Sequence, residues 1–416
     1  MKTSGRAAVT TSARGVVLVD VYKGSRLAGV LERTQHGAEF RYATEYLAQA
    51  AGDASQAVAV TLPLRVEPYP VFGTNLHAFF AGLLPEGLRM RALVRSVKTS
   101  EDDLFSLLVA SGTDMIGDVS VTPSGLTLSE PAPIASAASP DAVSFAELLE
   151  RSLRYSGDSG DITVAGVQPK VSAAMISFPV SMKGKSHILK LTPSDHPKLV
   201  ENEAFFMRVA KSAGIEVART ELVHDRDAVS ALLVERFDRV FRKDGSVLRL
   251  HQEDACQLLD RYPADKYRLD LREVTNALDV CSAPLPERLK LLRLQAFSYL
   301  IANGDMHAKN VSVRTHAGRI ALTPAYDILS TLPYGDGKLT LALDGRDDKL
   351  KRQHFVLFGE RVGLRALAVN QMLDRLCQQV ALCTPRLEEI GLAAKPLKHL
   401  RSVMQTRLRE LEAATK

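Results

Sequence analysis

Cysteine is scarce in this 416-residue chain: Cys256, Cys281, Cys377 and Cys383 are the only four, and none stands in a C-x-x-C pair or beside a patterned His. That spacing excludes a zinc site and a disulfide framework and leaves buried free thiols as the reading. A dominant charge is missing too. The 53 Lys and Arg stand against 48 Asp and Glu, a mild excess that suits phosphate or an acidic partner and falls far short of a dedicated nucleic-acid binder. No apolar run approaches membrane-spanning length, and the polar, small-residue-rich first 15 residues carry no apolar signal core. These absences point to a cytoplasmic protein with no membrane partner and a disordered tail over residues 1–14. What is plentiful is ordinary for a globular chain: 46% hydrophobic and 24% charged residues, enough to bury a large core in two or three structural units.

The densest chemical signal is Asn303-Gly304-Asp305-Met306-His307-Ala308-Lys309-Asn310, followed by Thr323-Pro324-Ala325-Tyr326-Asp327. Asp305 and Asn310 have the D-x-x-x-x-N spacing of a kinase catalytic loop, in which the Asp orients the acceptor hydroxyl and the Asn binds magnesium. Asp327 stands where a second metal-holding carboxylate is needed. Between them, residues 311–314 and 319–323 predict two short strands joined by Thr315-His316-Ala317-Gly318. Upstream, Leu289, Leu292, Ala296, Phe297 and Leu300 share one face of a helix predicted over 286–302, which feeds directly into the loop. Solvated acids in a polar connection explain any one of these residues. Helix, loop, hairpin and second Asp in this order are what rigid placement of charge for phosphoryl transfer requires.

Residues 16–22 and 29–33 predict a strand pair, 75–84 and 101–111 predict helices, and the Pro-, Ala- and Ser-rich stretch 123–140 marks a boundary. Next come a small-residue loop over 159–170, a strand over 171–178 and a second strand over 187–191 in which Lys190 is flanked by apolar neighbours. A mobile loop covering phosphates and a strand Lys neutralising them form the nucleotide lobe of a kinase, although a strand Lys also snorkels in many folds. A helix over 201–213 carries Glu203 near its start; it either pairs with Lys190 or is a first-turn acid favoured by the helix dipole. The apolar strand over 231–237, ending Glu235-Arg236-Phe237, suits the hinge beneath an adenine.

Taken together, Thr163-Val164-Ala165-Gly166-Val167-Gln168-Pro169-Lys170, Lys190, Val234 to Arg239, Gln252-Glu253-Asp254, the 303–310 loop and Pro324-Ala325-Tyr326-Asp327 resemble the HipA family of serine/threonine kinases. Phe40-Arg41-Tyr42, Leu62-Pro63-Leu64-Arg65 and Leu83-Leu84-Pro85-Glu86-Gly87 resemble that family's accessory subdomain, so the resemblance runs over nearly the whole chain. It implies an α+β, bilobal protein-kinase-like fold with an N-terminal accessory β/α subdomain (15–140), a nucleotide-binding N-lobe (141–240) and a mostly helical C-lobe (241–416). It also implies ATP and Mg2+ as cofactors, with Asp305 as catalytic base and Asn310 and Asp327 holding metal. Lys190 resembles the phosphate-binding Lys, Ala165, Gly166, Val167, Gln168 and Lys170 the phosphate loop, and Glu235 and Phe237 the adenine contacts. His307 and Lys309 both match the family loop, and spacing does not choose which of them stabilises transferring phosphate. Family membership further implies the toxin of a toxin-antitoxin module, restrained by a HipB-like helix-turn-helix antitoxin. DNA would be bound only through that antitoxin, and the protein substrate would be a translation component such as an aminoacyl-tRNA synthetase.

Two other classes stay open at this level: a small-molecule kinase of the aminoglycoside or choline type, which shares the G-D-x-x-x-x-N loop, and a catalytically silent repressor component. One departure matters. Where family members often carry an autophosphorylated Ser, this chain has Thr163, whose extra methyl stiffens it; Ser159 is the secondary candidate. Incubation of the wild type with Mg-ATP is expected to place phosphate on Thr163 or Ser159, and the same incubation of Asp305→Gln is expected to leave both unmodified. Mass spectrometry finding a bare loop on active enzyme would remove autoregulation at this site.

Overall fold

The computed structural model describes residues 13–73, 75–112, 115–128, 136–154, 175–182 and 184–412. The tail expected at 1–14 therefore lies, up to residue 12, outside the described residues. Along β1 (Leu18–Lys23) Val19 and Val21 are fully buried and their neighbours half-buried, the period-two alternation of a strand with one face on a core. With β2 (Arg26–Thr34), β3 (Gly37–Tyr42), β4 (Tyr69–Phe72) and β5 (Val119–Pro123) it forms an antiparallel sheet in the order β4-β3-β2-β1-β5. Helices α1 (Thr44–Ala50), α2 (Ala78–Gly82), α3 (Gly87–Val97) and α4 (Leu104–Ser111) accompany it. Phe40 of the sheet meets Phe80 of α2 edge-on at 5.4 Å, and Phe79, Leu107 and Leu108 complete the core of this N-terminal unit.

The second sheet has the order β6-β7-β8-β10-β9, from β6 (Ser136–Ala137), β7 (Ile176–Met182), β8 (Lys185–Leu191), β9 (Thr220–His224) and β10 (Ser230–Glu235). Its apolar run Ala231-Leu232-Leu233-Val234 looks unpatterned because both faces are covered. Ala231 and Leu233 pack with Phe145 and Leu148 of α5 (Phe145–Arg154), while Leu232 and Val234 pack with Phe205 and Phe206 of α6 (Leu199–Ser212). Lys190 on β8 lies directly opposite Leu232 on β10. Cross-strand partners share a face, so Lys190 projects toward α6.

The remaining lobe is mostly helical. A hairpin of β11 (Arg239–Phe241) and β12 (Val247–Arg249) precedes a three-stranded sheet of β13 (His251–Asp254), β14 (Ser312–His316) and β15 (Arg319–Leu322). Short helices α7 (Ala255–Leu258) and α8 (Leu271–Ala277) each begin with a capping box, Asp254 with Gln257 and Asp270 with Glu273. Helix α9 (Pro284–Leu300) buries Leu291, Leu292, Ala296, Phe297 and Leu300, and α10 (Arg352–Arg361), α11 (Ala366–Cys383) and α12 (Ala394–Leu411) pack around it. This core is continuous with α6, which packs against both the second sheet and the helical lobe. All four cysteines are buried and free. No helix among the described residues is long and apolar enough to cross a membrane. The fold is thus α+β and bilobal, with the N-terminal unit appended.

Charged side chains join that unit to the lobes. Beyond Glu235 the chain leaves β10, and Asp238, 4% exposed, accepts from Arg236 Nη2 at 2.8 Å, from Arg239 Nη1 at 2.7 Å and from the Gly117 backbone N–H at 2.9 Å. Burial alone would raise the Asp238 carboxyl, but Arg236 and Arg239 hold it down to about 2. Because the folded value lies below the usual carboxylate value, the stabilisation is complete above about pH 4 and fades as pH falls toward 2. Asp238→Asn is expected to cost roughly 3–5 kcal/mol at neutral pH by leaving buried guanidiniums uncompensated. The gap between variant and wild-type melting temperatures should close on acidification; a constant gap from neutral pH to pH 3 would contradict the assignment.

Candidate active site

Helix α9 ends at Leu300, and Ala302 takes a left-handed φ of 55° that turns the chain into the 303–310 loop. The loop is held largely by its own polar groups. Asn303 Oδ1 accepts from the Asp305 N–H at 3.0 Å, and the Asp305 carbonyl accepts both the His307 N–H at 2.9 Å and Asn310 Nδ2 at 3.1 Å. Gly304 donates its N–H to Thr331 Oγ1 at 2.6 Å and receives Thr340 Oγ1 on its carbonyl at 2.5 Å. A Cβ at Gly304 would stand 2.6 Å from Asp336 Oδ1 and 2.7 Å from the Lys338 carbonyl. Only glycine fits between these two walls.

Asp305 is 1% exposed, and its Oδ1 accepts the Tyr267 hydroxyl at 3.2 Å. The Tyr267 ring stands edge-on to His307 at 5.1 Å. Burial, helped by the charge of Lys266, holds His307 down to about 3, so the imidazole is neutral, and among the described residues its buried Nδ1 has no hydrogen-bond partner. Lys309 has its charge already met: Nζ lies 3.2 Å from Asp254 Oδ2 and 3.3 Å from Glu86 Oε1, and donates to the Gly82 carbonyl at 3.2 Å. Burial works against that ammonium, but the two carboxylates push its pKa above the usual lysine range.

On β8, Lys190 Nζ reaches Glu203 Oε1 at 2.7 Å and Oε2 at 2.9 Å, and also pairs with Asp327 Oδ1. Of the two readings open for Glu203, the ion pair is the one observed. Burial opposes the Lys190 charge, yet Asp327 and Glu203 together drive it upward; burial pushes the Glu203 carboxyl up. Asp327 adopts φ 56°, an uncommon backbone for a non-glycine residue. Its neighbour Tyr326 donates to the Lys309 carbonyl at 2.7 Å and shares a 2.7 Å hydrogen bond with the Ser312 hydroxyl, which fastens the 326–327 segment beside 309–310. Phe237 sits at the same place, its ring 5.7 Å from that of Tyr326. Glu235 is turned to Lys185, 3.1 Å from both oxygens.

The structure thus brings Lys190, Glu203 and Asp327 together, gathers Asp305, His307 and Asn310 in one loop, and sets Phe237 beside Tyr326. Ser159, Thr163, Ala165, Gly166, Val167, Gln168 and Lys170 lie outside the described residues. Tyr267 escaped sequence reasoning, since nothing local distinguishes it. Glu86 and Asp254 stood in the quoted segments Leu83-Leu84-Pro85-Glu86-Gly87 and Gln252-Glu253-Asp254 without a chemical role.

Comparison with known proteins shows the family and the fold. The HipA N-terminal domain model matches residues 19–122 and the HipA-like C-terminal domain model matches residues 162–383. Y4mE of Sinorhizobium fredii is 31% identical over 397 residues, covering 90% of this chain and 92% of that protein. The chain belongs to the HipA family. The serine/threonine-protein kinase toxin HipA of Shewanella oneidensis is 28% identical over 360 residues, 79% of this chain and 81% of that protein. The solved complex of Shewanella oneidensis HipA with HipB and operator DNA superposes with a TM-score of 0.74 at 22% identity, covering 94% of this chain and 97% of that one, a likeness of fold. The N-terminal unit and the two lobes of this HipA-family chain therefore form one recurring architecture. Gly304→Ala is expected to destabilise it by roughly 1–3 kcal/mol through overpacking. Urea denaturation checks this; an unchanged midpoint would mean that the loop relaxes freely.

Proposed function

We propose that this chain is a Mg-ATP-dependent serine/threonine protein kinase, the toxin of a HipBA-like module. The observation that carries the reading is Lys190 held by both Glu203 and Asp327, because it sets a strand lysine, a helix glutamate and a metal-type aspartate at one point between the lobes. The donor set fits the cofactor. Asp327 offers a partly exposed carboxylate, and Asn310 commits its Nδ2 to the Asp305 carbonyl while no hydrogen bond reaches its Oδ1 among the described residues. Such hard oxygen donors in small number suit magnesium, which retains water and phosphate ligands. When bound, Mg-ATP supplies the transferable phosphoryl group and the charge that offsets its oxygens.

In this reading Asp305 accepts a hydrogen bond from, and orients, the acceptor hydroxyl, with Tyr267 fixing one of its oxygens. Lys190 shifts from Asp327 toward phosphate while Glu203 keeps it aimed at the Asp327 segment. Phe237 and Tyr326 offer an apolar edge for the base. Neutral His307 shapes the loop rather than supplying charge, and Lys309 acts through its two carboxylates. A HipB-like antitoxin partner is supported by the superposable HipA–HipB–DNA complex. The protein acceptor, an aminoacyl-tRNA synthetase by family resemblance, is part of the same proposal, as are the phosphate loop over 165–170 and the sites Thr163 and Ser159.

Asp305→Gln and Asp327→Asn are each expected to lower phosphoryl transfer on the order of a hundredfold to a thousandfold and to abolish growth arrest on expression, with the fold retained by circular dichroism. Wild-type turnover by either purified variant would overturn the roles given to these carboxylates.

A further inference from the structure

We propose that Glu86 of the N-terminal unit is a positioning residue for the Asp305 loop, holding that loop in its working shape from outside the two lobes; this rests on the reading of Asp305 given above. Glu86 lies in the turn between α2, which ends at Gly82, and α3, which Gly87 opens with Glu86 at its N-cap. Its Oε1 stands 3.3 Å from Lys309 Nζ and its Oε2 2.5 Å from Lys266 Nζ. Lys309 belongs to the loop itself. Lys266 immediately precedes Tyr267, the residue whose hydroxyl donates to Asp305. One carboxylate thus grips both segments that shape Asp305.

The backbone of the same unit reinforces the contact. The Gly82 carbonyl accepts from Lys309, and the Phe79 carbonyl accepts Gln257 Nε2 at 2.9 Å. A Cβ on Gly82 would fall 2.7 Å from Gln257 Cγ, so the close approach requires glycine. Without Glu86, two ammonium groups would share a neighbourhood with Asp254 as the remaining carboxylate partner of Lys309, beside a His307 that is neutral. Their repulsion would push the loop and the 266–267 segment apart. The Glu86 side chain is 41% exposed. Its partners Lys266 and Lys309 are only 12% and 13% exposed, so loss of the carboxylate leaves two largely enclosed ammonium groups short of a partner, and the effect should appear first in the geometry of the loop they shape and in the rate.

The test uses the full chain and the isosteric variant Glu86→Gln, with ATP and myelin basic protein as a generic hydroxyl acceptor. The expected result is a fall in kcat of roughly tenfold to a hundredfold, KM for ATP within about twofold, and faster amide hydrogen exchange across residues 303–311 while exchange in α12 stays as in the wild type. If Glu86 acts through Lys309, Glu86→Gln combined with Lys309→Met should lose little more than Lys309→Met alone. Loop exchange equal to wild type, or faster exchange with unchanged kcat, would overturn the proposal. A wild type that transfers no phosphate would sink the kinase reading instead, and the exchange measurement would still decide whether Glu86 holds the loop.

Discussion

A lysine ammonium enclosed by protein is tolerable only if anionic oxygens replace the water it has lost. Lys190 meets this condition with two carboxylates from different parts of the fold: Glu203 on α6 and Asp327 beyond the β14–β15 hairpin. Much of the architecture follows from bringing those three side chains to one point. The register of β8 against β10 turns Lys190 to the α6 face, the shared core holds α6 against the helical lobe, and Tyr326 fastens the Asp327 segment to the catalytic-type loop. Because the charges lie at the junction of the lobes, a displacement of either lobe separates ions in a poorly hydrated place.

The same physics recurs where the N-terminal unit meets the lobes. Asp238 gathers two arginines and a backbone N–H from residue 117, and Glu86 gathers two lysines. These two carboxylates differ in setting. Asp238 and both its arginines are buried, whereas the Glu86 carboxylate is partly reached by water and its two lysines are largely enclosed. An appended unit tied by such contacts is packed against the 303–310 loop and the segment after β10 rather than hung on a linker.

Local pattern made several pieces legible. Alternation at Val19 and Val21 marked β1, helical spacing marked α6 and α9 to within two residues at most of their ends, and the hairpin of β14 and β15 was visible from its Ala317-Gly318 turn. Each depends on residues within a dozen positions of one another. The strand over 231–237 was placed slightly long: β10 ends at Glu235, since Arg236 and Asp238 turn to their partners in the N-terminal unit, and that demand comes from residues more than a hundred positions away.

By itself the sequence determined part of the element order, from the β1–β2 pair through β8, α6, β10 and α9 to the β14–β15 hairpin, the Asp305–Asn310 spacing with Asp327 after that hairpin, and the resemblance that named the family, because periodicity, turn chemistry and motif spacing are written in neighbouring residues. Tertiary structure alone decided which charges meet. Lys309, a candidate for phosphate in the motif, is enclosed by Asp254 and Glu86; Tyr267, without any local mark, is the hydroxyl on Asp305; Lys190 faces Glu203 and Asp327 together. A charge takes whichever partner the packed backbone brings within about 4 Å, and that distance is a property of the folded chain that no interval along the sequence contains.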